Sequence, residues 1–482
     1  MVEKKWDKEA DVVIVGMGGA GACAAIEAHD AGCKVIALEK MDKPGGTTLI
    51  SSGMVYAAGT SVQKEHGIED TPEAMLKLYR ALSEGIADDK ILKFNCEHSP
   101  EMIEWLKKHG VKFVEVVWGG PENRPEYTAI TPAKQRAHMC EGYTGAGFIP
   151  PLMEQINKRK IEVLYKTAAE ELIAEPATKE VKGVKTKNGL RIKAAKGVIL
   201  AAGGYSRNES MFKNYLTDYW KVVWPSTSQG HEGDGIRMAQ ALGADLVNMG
   251  FLGCFVDGIA LRPLSYSGEP AMGMMFIRLD RRWNCIVVDK NGKRFADDLL
   301  IYDRLCPIVL KLPGQFYYLI FDQSAVDKWG GAGIIMPSQS PDLSKEIELG
   351  IIKKASTIRE MAGKLGIDPD TLEDTIDTYN ENAKKGKDPE FGRTLHLMPL
   401  NKPPYYASKG SVSLADTQGG LKADLNNRVL DVFGKPIPRL YVAGSSQGGY
   451  LGRWYAGGSF LTHVFTSGIM SGRNVAKETS WK

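Results

Sequence analysis

The first regular pattern along the chain is an uninterrupted apolar run, Val12–Val15. Glycines follow it, then the small-residue stretch Ala22–Ala28, then Lys34–Leu38, apolar after its first residue. A run with no polar alternation suits a parallel strand buried on both faces, and the small-residue stretch suits a closely packed helix. The pattern therefore predicts strand, tight turn, helix, strand. A third run, "KGVILAAGG" (Lys196–Gly204), predicts another strand that ends in small residues. The fold class implied is α/β. With 482 residues, 43% hydrophobic and 25% charged, the composition is that of a globular protein with room for two domains. A net charge of +3 gives no reason to expect nucleic acid or an anionic membrane as partner. The seven cysteines are scattered without CxxC or His/Cys spacing, so free thiols and no metal site are expected. "MVEKKWDKEAD" lacks an apolar signal core, and Val12–Ile26 is short and Gly-rich. The expectation is a cytoplasmic protein with no transmembrane segment.

Candidate chemistry begins in the first turn. Gly16-x-Gly18-x-x-Gly21, with Gly19 and Ala20 inside it, opens the helix, and Glu39 closes the second strand ahead of Lys40. In that context the glycines let a pyrophosphate reach the helix N-terminus, where unpaired N–H groups favour an anion. Glu39 is placed to accept ribose hydroxyls and disfavours a 2′-phosphate. The next loop supplies Gly45, Gly46, Thr47, Thr48, Ser51, Ser52 and Gly53. A simple NAD domain would run on into a helix here. A Gly/Thr/Ser loop suits a longer dinucleotide whose second half needs its own cradle, namely FAD. Ala202, Gly203 and Gly204 would allow a close backbone approach at the end of the third strand.

Read together, these pieces resemble the flavoprotein family of fumarate reductase and succinate dehydrogenase subunits, which includes the 3-ketosteroid Δ1-dehydrogenases. The resemblance is carried by "GGTTLISSG", "GVILAAGGYSRN", "GHEGDGIRMAQALGADL" and "VVDKNGKRFADDLLIYDR", and continues through "TYNENAKKGKDPEFGR", "TQGGLKADLNNRVLD" and "LYVAGSSQGG". It implies a discontinuous Rossmann-type FAD-binding domain, 1–249 and 397–482, with an inserted α+β substrate-capping domain, 250–396. Substrate would lie between cap and flavin. It also implies that Ala169 meets the adenine, Gly444 and Ser445 the ribitol, and Ser459–Leu461 N–H groups the flavin pyrimidine. Lys40 and Asp234 complete the cofactor set. At Ser445 the family more often has Glu or Asn. The early loop lacks the His that carries covalent FAD in membrane complexes, so non-covalent FAD is expected.

One stretch departs from the reductases. In "GRWYAGGS" (Gly452–Ser459) the position two before Gly457-Gly458 is Tyr455, where a fumarate reductase has a substrate-clamping Arg. The proton-donating Arg of the cap is likewise replaced, by Tyr302. Both changes resemble the ketosteroid dehydrogenases. A dicarboxylate calls for guanidinium forks, whereas a neutral ketone calls for a hydrogen-bond donor. The resemblance thus implies an FAD-dependent oxidoreductase on the CH–CH bond α,β to a ketone, a 3-ketosteroid or smaller cyclic ketone, in either direction. Tyr302 would exchange the α-proton, Tyr455 and the Gly458 N–H would polarise the carbonyl, and hydride would pass to or from flavin N5. Tyr127, with Tyr143 as alternative, would relay the proton. Trp118 would wall the pocket, and Asp416 would orient a tyrosine or satisfy backbone amides. Two other readings stand beside this one. The first is a fumarate-, urocanate- or acrylate-type carboxylate reductase using Arg304 and Arg453. The second is an electron-transfer subunit, against which the lack of iron–sulfur and haem motifs counts. The expected partners are a small hydrophobic ketone and an electron carrier of unspecified identity.

Overall fold

The computed structural model describes residues 5–122, 124–216, 224–258, 284–300, 302–329, 340 and 342–481; the side chains of 224, 255, 257–258, 302–303 and 329 are outside the description. The apolar stretch Ala271–Ile277, whose sequence suits a hydrophobic ligand pocket and ordinary core equally well, lies outside the described residues.

The chain opens with strand β1 (Lys8–Val15), helix α1 (Gly19–Asp30) and strand β2 (Val35–Leu38). Val12–Val15 and the whole of β2 are buried, as a doubly covered parallel strand requires. Strands β3 (Met54–Tyr56), β4 (Phe113–Val117) and β5 (Ala137–Cys140) form a small antiparallel sheet with β5 central. Next come β6 (Glu162–Leu164), β7 (Ala169–Ala174), β8 (Val181–Thr186) and β9 (Arg191–Leu200). β9 ends four residues short of the apolar run's last glycine, because Gly203 takes φ +79° and peels the chain off the sheet.

Further along lie β10 (Cys285–Val288), helix α2 (Tyr302–Lys311), β11 (Phe316–Asp322), β12 (Ile352–Ala355), helix α3 (Pro369–Lys384) and β13 (Tyr405–Thr417). The chain finishes with β14 (Arg428–Leu430), β15 (Pro436–Val442) and helix α4 (Ser459–Ala476).

Contacts divide the chain into two compact units. The first holds Met1–Trp220, Thr227–Gly253 and Ala415–Lys482, and the second holds Lys221–Ser226 and Cys254–Leu414. The first unit's main sheet runs β14-β15-β9-β1-β2-β6, with β8 also on β9 and β7 on β8. Its centre, β15-β9-β1-β2-β6, is parallel. α1 and α4 lie side by side on it, and Gly468 and Gly472 of α4 face the backbone of Ala20 and Ala24. In the second unit β13 pairs antiparallel with β11 and β12, and β10 with β11. α3 contributes Leu372, Ile376 and Tyr379 to that unit's apolar core. The sequence reading placed the joins at 249/250 and 396/397. The contact division instead falls at Gly253/Cys254 and Leu414/Ala415, because β13 stays laddered to β11 as far as Ser411. All seven cysteines are buried, and none is in a disulfide. Among the described residues no helix is long and apolar enough to cross a membrane.

Candidate active site and cofactor cradle

The β1–α1 turn shows what each glycine is for. A Cβ on Gly16 would collide with Ala201 O, and one on Gly21 would collide with Gly16 O. These two serve the packing of the protein on itself. Gly18 is different. Its φ of −79° and ψ of −169° suit any residue, and a Cβ there would find Gly45 O no nearer than 3.7 Å. Neither conformation nor packing asks for glycine at 18, so the clearance beside it is what a pyrophosphate would use. α1 also has no side-chain cap; the Gly19 N–H donates to Thr48 Oγ1 at 3.3 Å, while Ala20 starts the buried face. These residues fit a dinucleotide.

The rest of the predicted cradle assembles around this turn. Gly18 bridges to Gly45, and the Gly45 N–H donates to Met17 O at 2.8 Å. Gly45, Gly46 and Gly53 all take positive φ. Thr47 Oγ1 accepts from Ser228 N–H at 3.1 Å, tying the loop to the segment ahead of Asp234. Ser51 Oγ donates to Thr48 O at 2.8 Å, and Ser52 is half-buried beside it. Glu39 is buried, its Oε2 accepting from Met17 N–H and its Oε1 from Met41 N–H, each at 2.9 Å. Each oxygen keeps a lone pair for a ribose hydroxyl. Lys40 does not stand alone: its Nζ pairs with Asp234 at 2.6 Å and Glu232 at 2.8 Å. Ala169 is buried at the start of β7. Ala202 is half-buried, Gly203 O accepts from Ser446 Oγ at 2.9 Å, and Gly444, at φ +62°, donates to Ser467 Oγ at 2.9 Å.

Behind Gly204 and Ser445 lies a buried polar chain that sequence reading recognised only in Asp416. The Gly204 N–H donates to His231 Nε2 at 2.7 Å, and His231 Nδ1 meets Ser206 Oγ at 3.0 Å. Asp416 Oδ1 stands 3.2 Å from His231 Nε2 and accepts Thr417 N–H at 2.8 Å, while its Oδ2 lies 2.5 Å from Ser445 Oγ. Burial pushes the Asp416 carboxyl up to about 7 and the His231 imidazole down to about 3, where Lys40 and Arg207 add to the depression. The available signal was the His within "GHEGDG", which reads as part of a glycine-rich loop.

At the C-terminal turn, Tyr455 is 7% exposed and stacks obliquely on Phe460 at 4.8 Å. The Gly458 N–H donates to its hydroxyl at 3.3 Å, so the two groups assigned to one carbonyl sit together but the N–H is engaged by the phenol oxygen. The turn is held by the Gly457 N–H donating to Gly119 O at 2.8 Å, in the loop that follows half-buried Trp118, and Glu122 accepts from Gly119 and Gly120 at 2.8 Å. The Ser459 and Leu461 N–H groups close the turn on Ala456 O and Gly458 O. Tyr127 is buried on the short helix Pro125–Thr128, and Tyr143 occupies a turn at φ +55°. Arg453 is half exposed and pairs with Glu84 at 3.2 Å. Tyr302 opens α2, but its side chain lies outside the described residues; Arg304 follows two positions on, and such positions do not share a helix face.

A family model described as FAD binding domain matches residues 11–461. The NADH:fumarate oxidoreductase of Klebsiella pneumoniae (strain 342) is 30% identical over 98% of this chain, which spans 48% of that protein, about half its length. The urocanate reductase of Eggerthella lenta is 31% identical, over 97% of this chain and 75% of that one. The solved 3-ketosteroid-delta4-(5alpha)-dehydrogenase from Rhodococcus jostii RHA1, in complex with 4-androstene-3,17-dione, superposes with a TM-score of 0.78 at 27% identity, covering 99% of each chain. The match across 11–461 makes this chain a member of the FAD binding domain family, a flavoprotein of fumarate reductase and ketosteroid dehydrogenase fold, with FAD as its cofactor.

Proposed function

We propose that this protein is an FAD-dependent oxidoreductase acting on the carbon–carbon bond α,β to a ketone, as dehydrogenase or as enone reductase. The observation that carries this reading is the buried Tyr455 hydroxyl, which accepts from the Gly458 N–H at 3.3 Å and whose ring packs on Phe460. A phenol held there by the Gly458 N–H suits a carbonyl oxygen that becomes enolate-like as the α-proton leaves, with the Tyr455 O–H as its donor. When bound, FAD supplies the acceptor or donor of the hydride exchanged at the β-carbon. Tyr302 takes the α-proton in oxidation and returns it in reduction. An ordinary phenol near ~10 costs about 4 kcal/mol to ionise at neutral pH, so Tyr302 needs a relay, and Tyr127 is the residue we assign. The bond between the two carbons gains or loses one pair of hydrogens, one as a proton and one as hydride, so the step balances.

The carboxylate-reductase reading draws on the fumarate and urocanate relatives. Against it, Arg453, one of the two arginines that reading uses, spends its charge on Glu84 with half of its side chain exposed. Anaerobic mixing of the holoenzyme with a panel of cyclic ketones, enones and unsaturated acids, followed by flavin absorbance, separates the two. Reduction by a saturated ketone, or reoxidation of reduced flavin by an enone, supports the ketone reading. Reoxidation by unsaturated acids alone overturns it.

A further inference from the structure

The buried chain behind Gly204 and Ser445 has a proton inventory that can be worked out. Gly204 donates into His231 Nε2 at 2.7 Å, so that nitrogen carries a lone pair and the ring proton lies on Nδ1, facing Ser206 Oγ at 3.0 Å. Ser206 continues to Thr227 at 2.5 Å. A neutral imidazole offers Asp416 no counter-charge, and an ionised Oδ1 at 3.2 Å would set a full negative charge against the Nε2 lone pair. Oδ1 is already occupied by the Thr417 N–H, so a proton on the acid belongs on Oδ2, toward Ser445 Oγ. The charged and titratable groups facing the pair are Lys40 and Arg207 on the His231 side and the phenols of Tyr205 and Tyr450 on the Asp416 side. Tyr450 in turn stacks on His463 at 4.0 Å, itself neutral through burial. No cation among these is bonded to Asp416.

We propose that Asp416 is held as a neutral acid and acts as a positioning residue for the cofactor, donating to Ser445 so that the serine's own O–H points outward as a donor to the FAD chain. This rests on the reading of Ser445 as a cofactor contact. Ionisation reverses the serine: its O–H is captured by the carboxylate and only lone pairs remain to face the cofactor. Burial raises the Asp416 carboxyl and outweighs the Ser445 and Thr417 hydrogen bonds, which act in the opposite direction.

The test is titration of the FAD-stripped full chain with FAD, by flavin fluorescence quenching, between about pH 5.5 and 8.5. The wild type is expected to weaken about tenfold as pH rises through neutrality, the worth of one hydrogen bond. Asp416→Asn, whose amide donates at every pH, should keep the low-pH affinity and lose the pH dependence. Ser445→Ala should bind about tenfold more weakly at low pH and show a flat profile. A flat wild-type profile with tight FAD binding overturns the proposal, as does a pH dependence that survives in Asp416→Asn. If that variant does not fold, the wild-type and Ser445→Ala profiles decide alone. Failure to bind FAD at any pH would instead overturn the cofactor reading of the cradle.

Discussion

Gly18 and Gly21 belong to one motif, yet they answer to different partners. Gly21→Ala forces a Cβ into Gly16 O, and no flexible group is there to give way. That variant should be destabilised by about 1–3 kcal/mol in chemical denaturation, the usual cost of overpacking. Gly18→Ala meets nothing closer than 3.7 Å and keeps its backbone angles, so its folding cost should not exceed about 1 kcal/mol, the loss of a favourable N-cap. FAD affinity should nevertheless fall roughly tenfold or more, read by equilibrium dialysis, because the methyl occupies the approach to the helix N-terminus. Equal effects of both substitutions on stability would mean that Gly18 is there for packing after all. Tyr455 gives the companion test on the substrate side. Tyr455→Phe removes the phenol that donates to the carbonyl and should lower kcat/KM for a ketone by about 100- to 1,000-fold, with the flavin spectrum unchanged. Arg453→Gln should leave the same rate within error, since an exposed pair such as Arg453–Glu84 contributes little.

At the scale of elements, the cradle depends on how closely α4 can approach α1. A Cβ on Gly468 would stand 2.5 Å from Ala20 O, and one on Gly472 2.6 Å from Ala24 O. Gly468→Ala should therefore part the helices, lower stability by about 1–3 kcal/mol and weaken FAD binding, since Ala20 belongs to the phosphate turn. Gly363, in the helix Ile358–Leu365, has nothing within 4 Å of its Cβ position. Gly363→Ala should raise stability by about 0.5–1 kcal/mol, and a thermal melt of the pair of variants checks both signs. The same scale shows what was legible beforehand. β1, its glycine turn and α1 are contiguous, so their pattern could be read directly. The stretches "GKRFADD" and "KDPEFGR" were read as marks of family. They assemble a buried ion cluster in the second unit: Arg294 pairs with Asp298 at 2.7 Å and Asp388 at 2.8 Å, and Arg393 with Asp298 at 3.1 Å. Only the i,i+4 spacing of Arg294 and Asp298 was local; the partners from the later stretch arrive through tertiary structure. Removing one member of such a cluster leaves a buried charge unpaired, at a cost in stability of about 3–5 kcal/mol.

For the whole molecule, the join between the two units was hardest to read because β13 is one unbroken strand whose early part is laddered to β11 and whose end carries Asp416. His231 comes from a distant loop, so its partnership with Asp416 could not be read from spacing. That partnership makes a global prediction. Asp416 moves from its ordinary 3.8 up to about 7 on folding, and His231 from 6.5 down to about 3. A raised acid contributes stability that is complete below its unfolded value and lost as pH rises toward 7. A depressed histidine contributes stability that is complete above 6.5 and lost as pH falls toward 3. Between about pH 4 and 6.5 the native pair holds one proton on Asp416 and the unfolded chain holds one on His231, so the two slopes cancel. Single substitutions should uncover them. Relative to wild type, Asp416→Asn should gain stability with rising pH by about 1.4 kcal/mol per unit in that window, and His231→Gln should lose stability at the same rate. Urea denaturation at a series of pH values reads both slopes. Parallel curves for the two variants would mean that the proton does not change owner on folding, and with that the neutral acid beneath Ser445 would be lost.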